Sequence, residues 1–369
     1  MSTMTKSQAD EQPDLVLTAE QSLLSDNLRR LLATRWDIRA LLADSPPSSE
    51  DRKMLWRQLD SDMALAGITV PDRCSGSGAG VRDLCVVAEA MGHALCSAPW
   101  IGTLGLAVPL LSAGQHPMHD ALLERIATQS LIVTVALSHT DVVVDNLDSE
   151  RVTLSGTVSR VLDGAEADCI VIAPNGGRLY VLETGQTEVS CSPRATLDLA
   201  RSVADFRLDR AIAIPVGPDE PHLSNALDVA RLATAAELLG VAARSLEIAV
   251  EYAKQRVQFG RLIGSYQAVK HRCARTLIDV EQARSLVRNA AWAADTASGT
   301  FPIAAREALW FTAAAALRAT TDLIRGLGGI GFTWEHEAHL YYRRARSAAV
   351  QLGDQLSLLG SLSERVLAP

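Results

Sequence analysis

The stretch that decides the fold is residues 252–271, which read YAKQRVQFGRLIGSYQAVKH. The helical pattern that precedes it ends at Arg256, a glycine-bounded turn follows, and a second helix is predicted to start near Ser265. Arg256 offers a planar set of donors suited to phosphate oxygens, and Phe259 can lie against a flat ring. The N-terminus of the new helix favours an anion. On spacing alone, the pattern favours a simpler alternative, a helix–helix corner in which Arg256 caps the last carbonyl groups.

The segments around this corner predict three regions. Helical periodicity fills the first third, and short β-branched runs separated by turns fill the middle third, as in a small antiparallel barrel or sandwich. Long Ala- and Leu-rich helices follow, which favours an antiparallel bundle. Leu15 to Leu42 is predicted to be helical. The predicted boundaries are 1–129 for a helical domain, 130–217 for a β-domain and 218–369 for a helical bundle.

A second glycine-rich stretch, Arg325 to His336, closes the predicted helix from Pro302 to Gly326. It matches G-x-G-x-x-G only superficially, because a dinucleotide fingerprint needs a strand before it. The alternative is a glycine run that closes the helix and lets another group approach its backbone closely. His336 and His339 are interpreted as an exposed cluster at a helix start, and no metal site is predicted.

Composition excludes several function classes. The 369 residues carry 35 basic and 43 acidic side chains, a formal net charge of −8, so no basic field attracts a nucleic acid. The apolar runs are too short to predict a membrane span, and the polar N-terminus does not resemble a signal peptide. Six cysteines without a C-x-x-C pair predict a reducing compartment, and we expect the protein to be cytoplasmic.

The chain resembles the acyl-CoA dehydrogenase family over almost its whole length. Leu65 to Gly80 resembles the family's G-L-x-x-x-P-E with its glycine loop. Arg256 to Gly260 resembles its most recognisable motif, and Leu327 to Phe332 resembles its G-G-x-G turn. The resemblance implies an α+β fold with an N-terminal α-domain, a middle β-barrel domain and a C-terminal four-helix bundle.

The resemblance also implies an activity and a set of site residues. Family members use FAD to remove hydrogens from the α and β carbons of an acyl-CoA, with a carboxylate as base, and pass the electrons to a flavoprotein. By position, substrate contacts fall on Asp228, Arg231 and Ser138, although Asp228 could instead be an N-terminal acid that satisfies the helix dipole. The implied contacts to FAD, held mainly by a neighbouring subunit, are Arg256, Gln258, Phe259, Tyr266, Gln267, Arg325, Gly328 and Gly329.

The chain departs from the family where a flavin ring and a base are expected. Ser138 to Asp141 stands in place of T-E-P-x-x-G-S-D, and Arg160 to Gly164 stands in place of aromatic-x-T-N-G. The two usual base positions are Leu352, after an R-D-A-like run, and Ala230, and neither side chain accepts a proton. Glu237 is two turns beyond Ala230, either as a relocated base or as a structural or interface carboxylate.

Three hypotheses follow from these matches and departures. The first is a subunit of an α2β2 acyl-CoA dehydrogenase that completes the FAD site of an unlike homologous partner. The second is a complete homomeric dehydrogenase with a displaced base. The third is a flavin-free structural or acyl-CoA-binding protein that keeps only the fold.

Overall fold

The computed structural model describes residues 15–42, 47–114, 116–137, 140–146, 148, 150–174, 178–217 and 220–366. Helices occupy the described chain up to Gln129, strands run from Val133 to Gly217, and helices return from Glu220. Within the described residues, no helix is long and apolar enough to cross a membrane.

The described part of the N-terminal region contains five α-helices, with short 3-10 and π-helical segments between them. The first starts at a capping box of Thr18 and Gln21, which satisfies the orphan amides of its first turn. It ends at Arg35, so the single helix expected from Leu15 to Leu42 is wrong. The Trp36 indole donates to the Ala94 carbonyl oxygen at 3.1 Å, which fixes an extended residue where the helix would continue. The five helices are α1 (Ala19–Arg35), α2 (Ser49–Met63), α3 (Val81–Ala94), α4 (Val108–Ala113) and α5 (Pro117–Gln129).

The middle region is one curled seven-stranded sheet. Its hydrogen-bonded path runs β1-β4-β5-β7-β3-β2, and β6 pairs with β7. The sequence predicted antiparallel strands, but β1 and β4 are parallel, with Val133 opposite Cys169. The strands are β1 (Val133–Ala136), β2 (Thr140–Asn146), β3 (Val152–Leu162), β4 (Cys169–Ile172), β5 (Leu179–Glu183), β6 (Val189–Pro193) and β7 (Val203–Gly217).

Long helices form the C-terminal region, as the sequence predicted. The longest, α6, packs against α3 so closely that a methyl group built at Gly92 would lie 1.9 Å from the Glu237 carbonyl oxygen. Glycine at this crossing therefore lets the two backbones touch. The elements are α6 (Glu220–Gln255), β8 (Val257–Gln258), β9 (Arg261–Leu262), α7 (Gln267–Asp295), α8 (Phe301–Leu327), α9 (Ala338–Gln351) and α10 (Gln355–Val366).

A buried acid near the sheet makes stability depend on pH. Glu166 is 1% exposed, and burial raises the pKa of its carboxyl to about 7, against about 4.3 in an unfolded chain. Between these values the unfolded state binds fewer protons, so stability falls as pH rises. We expect Glu166→Gln to stabilise the protein at pH 8 by up to about 3 kcal/mol and to have little effect near pH 4.

Urea unfolding at several pH values measures this effect. Glu188→Gln is the control, because Glu188 is exposed and should leave the pH dependence unchanged. If the free energy of unfolding changes with pH in the same way in the wild type and in Glu166→Gln, the raised pKa of Glu166 is contradicted.

Candidate functional site

The corner after α6 is a small β-hairpin rather than the plain turn that the sequence predicted. Val257 pairs with Leu262 and Gln258 with Arg261. The two turn residues, Phe259 and Gly260, have φ of 54° and 79°, as in a type I′ turn. The backbone of Phe259 is therefore left-handed. Its side chain is 92% exposed, so the aromatic ring hardly packs against this chain. Strain and exposure of this kind favour a role in binding.

Arg256 lies at the base of this hairpin with its guanidinium in solvent. Its backbone amide donates to the Tyr252 carbonyl oxygen at 2.9 Å, and its carbonyl oxygen accepts from the Ile263 amide at 2.8 Å. In the described part of the chain, the Arg256 side chain has no hydrogen-bond or ion-pair partner. The alternative in which it caps the last carbonyl groups of α6 is therefore wrong, and its donors remain free.

The start of α7 completes the corner. Tyr266 is the N-cap residue of α7, its hydroxyl donates to the Gln258 carbonyl oxygen at 3.1 Å, and the Arg261 guanidinium lies 3.9 Å from its ring centre. Gln267, the first residue of α7, is exposed. The predicted cofactor residues of this motif thus share one surface at the N-terminus of a helix.

The second motif ends α8. Gly328 has φ of 69° and ψ of −139°, a conformation that favours glycine, and a methyl group built at Gly328 or Gly329 would meet no atom within 4 Å. Arg325 is exposed and has no partner among the described residues. The glycine backbone is therefore open to another molecule.

A cavity of about 550 Å³ lies beside this turn, between the end of α8 and the start of α9. Arg325, Gly331 and Phe332 of the second motif line it. Trp334, His339 and Arg343 line it further along. The sequence interpreted His339 as part of an exposed cluster, but its ring nitrogens are buried in the cavity wall.

The two motifs belong to the same end of the bundle. Ile263 of the corner and Gly326 of α8 line one small cavity. Arg272 of α7 and Asp322 of α8 form an ion pair at 3.7 Å. The fold thus brings together segments about 70 positions apart in the sequence.

The predicted substrate residues on α6 form ion pairs and hydrogen bonds with other residues of the same chain. Asp228 is 1% exposed, and its carboxylate pairs with Arg231 at 2.6 Å and with Arg306 of α8 at 3.1 Å. Arg231 also donates to the Leu352 carbonyl oxygen at 3.0 Å. Asp228 lies in the third turn of α6, so the alternative of a dipole-satisfying N-terminal acid is wrong. The third predicted residue, Ser138, falls outside the described residues.

The two usual base positions carry no acid. Ala230 is fully buried, and Leu352 is 6% exposed. The nearby Asp354 is exposed and caps α10, accepting from the amides of Leu356 and Ser357 at 2.9 and 3.0 Å. These hydrogen bonds lower the pKa of Asp354, so its carboxylate acts as a cap.

Glu237 is fully buried in an ion-pair cluster, which we call the Glu237 cluster. Both Glu237 oxygens accept from Arg201, at 2.5 and 2.6 Å, and Arg344 of α9 donates to Oε1 at 2.5 Å. Arg344 also pairs with Asp198. Burial opposes its charge, but the Asp198 and Glu237 carboxylates raise the pKa of Arg344. Glu237 is therefore the counter-ion of two buried arginines, which favours the structural alternative over a relocated base.

Residues 161–164 are packed inside the chain, whereas Arg160 before them is exposed. Leu162 is 5% exposed, and the buried Asp163 accepts from the Gly102 amide at 2.9 Å. Burial raises the pKa of Asp163 above its ordinary value. Arg160 is exposed in a left-handed conformation, with its amide donating to Asp205 at 2.8 Å. This turn offers no aromatic ring or hydroxyl to a flavin.

Among the described residues, the fit to FAD differs between its two halves. Free guanidinium groups at Arg256 and Arg325, open glycine backbone and a cavity suit the pyrophosphate and adenosine half. In the turn that would serve the ring half, Arg160 stands at the aromatic position and Leu162 at the hydroxyl position.

Family models match most of the chain. The model for the N-terminal domain of acyl-CoA dehydrogenases matches residues 18–130, and the model for the C-terminal domain matches residues 222–367. Both fall on the helical regions described above.

Relatives and solved structures agree with these matches. The acyl-CoA dehydrogenase IpdE2 of Mycobacterium tuberculosis is 34% identical over 94% of this chain and 97% of its own length. FadE34 of the same organism is 38% identical over 81% of this chain, which spans 40% of FadE34. The ChsE4–ChsE5 complex of M. tuberculosis contains a similar chain, with a TM-score of 0.84 and 26% identity over 96% of this chain and all of that one. The predicted fold and the predicted oxidoreductase family are confirmed: the chain belongs to the acyl-CoA dehydrogenase family.

Proposed function

We propose that this chain is the supporting subunit of an α2β2 acyl-CoA dehydrogenase. Arg256, Arg325 and the surrounding motif residues bind FAD, while an unlike homologous partner holds the flavin ring. The bound FAD would supply a hydride acceptor for the β-carbon of the acyl-CoA. The partner supplies the carboxylate that takes the α-proton, and the electrons leave through an electron-transferring flavoprotein.

The observation that carries the proposal is the contrast between the two halves of the site. Arg256 and Arg325 are exposed, and their side chains have no partner among the described residues of this chain. Residues 161–164 of the ring-holding turn are buried, and so are the base positions Ala230 and Leu352. Glu237 pairs with Arg201 and Arg344. A chain that acted alone would need both halves.

Related proteins support the choice of partner and substrate class. One structural neighbour, with a TM-score of 0.83 and 27% identity, is described as the steroid acyl-CoA dehydrogenase Tcur3481–Tcur3483, and another is the ChsE4–ChsE5 complex. Both names join two chains. We extend this to a steroid or other lipid acyl-CoA as substrate of the assembled enzyme, and to a site shared between unlike subunits.

Purification tests the proposal. The chain is expressed alone and together with an unlike family member that carries T-E-P-x-x-G-S-D, and flavin absorbance and native mass are recorded. We expect little FAD on the chain alone and substantial FAD on a heterotetramer. A yellow homotetramer that reduces an acceptor with an acyl-CoA would contradict the proposal and support the homomeric alternative. If no family partner restores flavin, the flavin-free alternative is supported.

A further inference from the structure

The hairpin that follows α6 is too short to be stable by itself. Its residue pairs are Val257 with Leu262 and Gln258 with Arg261. A two-stranded hairpin of this size is at best marginally stable in water, because few contacts offset the entropy lost on ordering it. Its tip residue, Phe259, is 92% exposed and adds little packing. The hairpin therefore needs contacts with neighbouring elements to keep one conformation.

Tyr266, the N-cap residue of α7, contacts the hairpin through both its ring and its hydroxyl. The Arg261 guanidinium carbon lies 3.9 Å from the centre of the ring, well within the roughly 6 Å of a cation–π contact. The Tyr266 hydroxyl donates to the Gln258 carbonyl oxygen at 3.1 Å. Gln258 and Arg261 are the pair that flanks the turn, so both contacts act close to the tip. We call Arg261 and Tyr266 the Arg261 clamp.

The backbone of Tyr266 is fixed by hydrogen bonds on both sides. Its amide donates to the Ile263 carbonyl oxygen at 3.1 Å. Its carbonyl oxygen accepts from the amides of Val269 and Lys270, at 3.2 and 3.1 Å. The latter bonds belong to the first turn of a helix of 29 residues. Since Tyr266 cannot shift without breaking them, it is a fixed point against which the hairpin is ordered.

The clamp also decides which face of the hairpin points outward. Paired residues share one face of a hairpin, and residues next to each other in a strand lie on opposite faces. Because Arg261 turns its face toward Tyr266, the face with Val257 and Leu262 points away from α7. These two side chains are accordingly 53% and 45% exposed.

Arg261 has no other role that the fold requires. It is exposed, and within the described ranges it pairs with no carboxylate. The contact with the Tyr266 ring is therefore what orders its side chain. A clamp of this kind at the surface can be removed without opening the core, so its loss should act on the hairpin alone.

We propose that Arg261 is a positioning residue, and that Tyr266 acts on the cofactor through the hairpin rather than by direct contact. The resemblance implied a direct contact, but the Tyr266 hydroxyl is bonded to Gln258 and its ring is covered by Arg261. The clamp holds Arg256, at the base of the hairpin, and Phe259, at its tip, in one fixed arrangement. The use of this arrangement for FAD rests on the proposed function, whereas the clamp itself does not.

Chymotrypsin digestion of the full chain without FAD tests the clamp. Cleavage after Phe259 requires the hairpin to open, so its rate follows the population of the open form when opening and closing are fast. We expect Arg261→Ala to speed this cleavage by about 2- to 5-fold, the factor that an exposed cation–π contact implies. Arg261→Lys, which keeps a cation over the ring, should restore most of the protection.

Arg275→Ala is the matched control for this digestion. Arg275 is exposed on α7, so its replacement removes the same charge away from the hairpin and should leave the cleavage rate unchanged. Mass spectrometry of the fragments identifies the cut after Phe259. Equal rates of this cut in the wild type and in Arg261→Ala would overturn the clamp.

FAD retention in the co-expressed complex tests the positioning role. We expect Arg261→Ala to weaken retention by the same 2- to 5-fold. Combined with Arg256→Ala, it should weaken retention by less than the product of the single effects, because Arg256 is already misplaced when the clamp is lost. Single effects that multiply would instead assign Arg261 to an independent contact and overturn the proposal.

The two measurements separate this proposal from the proposed function. Unchanged FAD retention in Arg261→Ala, together with faster cleavage after Phe259, overturns the positioning role and leaves the proposed function standing. A complex that carries no FAD overturns the proposed function, and faster cleavage of Arg261→Ala then still supports the clamp.

Discussion

Replacing Glu237 by alanine is expected to lower the free energy of unfolding by about 3–5 kcal/mol. The change leaves Arg201 and Arg344, which are 4% and 0% exposed, without the carboxylate that both of them share. A buried charge without a counter-ion is far less stable than the pair, because water cannot replace the lost partner. Urea or thermal unfolding of the full chain measures the loss.

Glu247→Ala is the matched control on the same helix. Glu247 pairs with His93 and Arg244, but its side chain is 42% exposed, so its loss should change stability by less than about 1 kcal/mol. If Glu237→Ala prevents folding, the isosteric Glu237→Gln still gives a measurable loss. A Glu237→Gln chain that keeps wild-type stability but loses the turnover of the assembled enzyme would contradict the structural role and revive the displaced base.

Replacing Arg256 by alanine is expected to weaken FAD retention in the heterotetramer by about 10- to 150-fold. This corresponds to losing hydrogen bonds to a charged group, about 1.5–3 kcal/mol. The stability of the chain itself should hardly change, because the Arg256 side chain has no partner among its described residues. FAD release during dilution and gel filtration of the complex measures the effect.

Lys254→Ala separates this contact from general charge. Lys254 is exposed and lies two residues before Arg256. Its replacement by alanine removes the same unit of positive charge as Arg256→Ala. FAD retention that falls equally in both variants would assign the effect to long-range attraction, and unchanged retention in Arg256→Ala would remove Arg256 from the cofactor site.

The local sequence pattern was sufficient to predict the long helices. Residues 224–256 contain no proline and carry many strong helix formers, which is why a long helix could be predicted in the region that α6 occupies. The same periodicity failed at Trp36, where a contact with Ala94 decides the conformation. The parallel pairing of β1 and β4 was also missed, because the direction of a strand pair depends on the path of the chain between the strands.

Site residues were predicted where a motif is continuous and missed where partners are distant. The corner from Arg256 to Gln267 could be read from one stretch. The role of Glu237 could not, because its partners Arg201 and Arg344 lie on other elements. His339 was interpreted as part of an exposed cluster at a helix start. The spacing of His339 and Arg343 by four residues was the signal for a shared helix face.

The number of FAD molecules in the assembled enzyme tests the central claim most directly. Native mass spectrometry of the co-expressed complex counts cofactors and subunits together. A site completed by two unlike chains predicts one FAD for each pair of this chain with its partner, and none on this chain purified alone. One FAD for every chain in the complex would contradict the account, because this chain would then hold a flavin ring of its own.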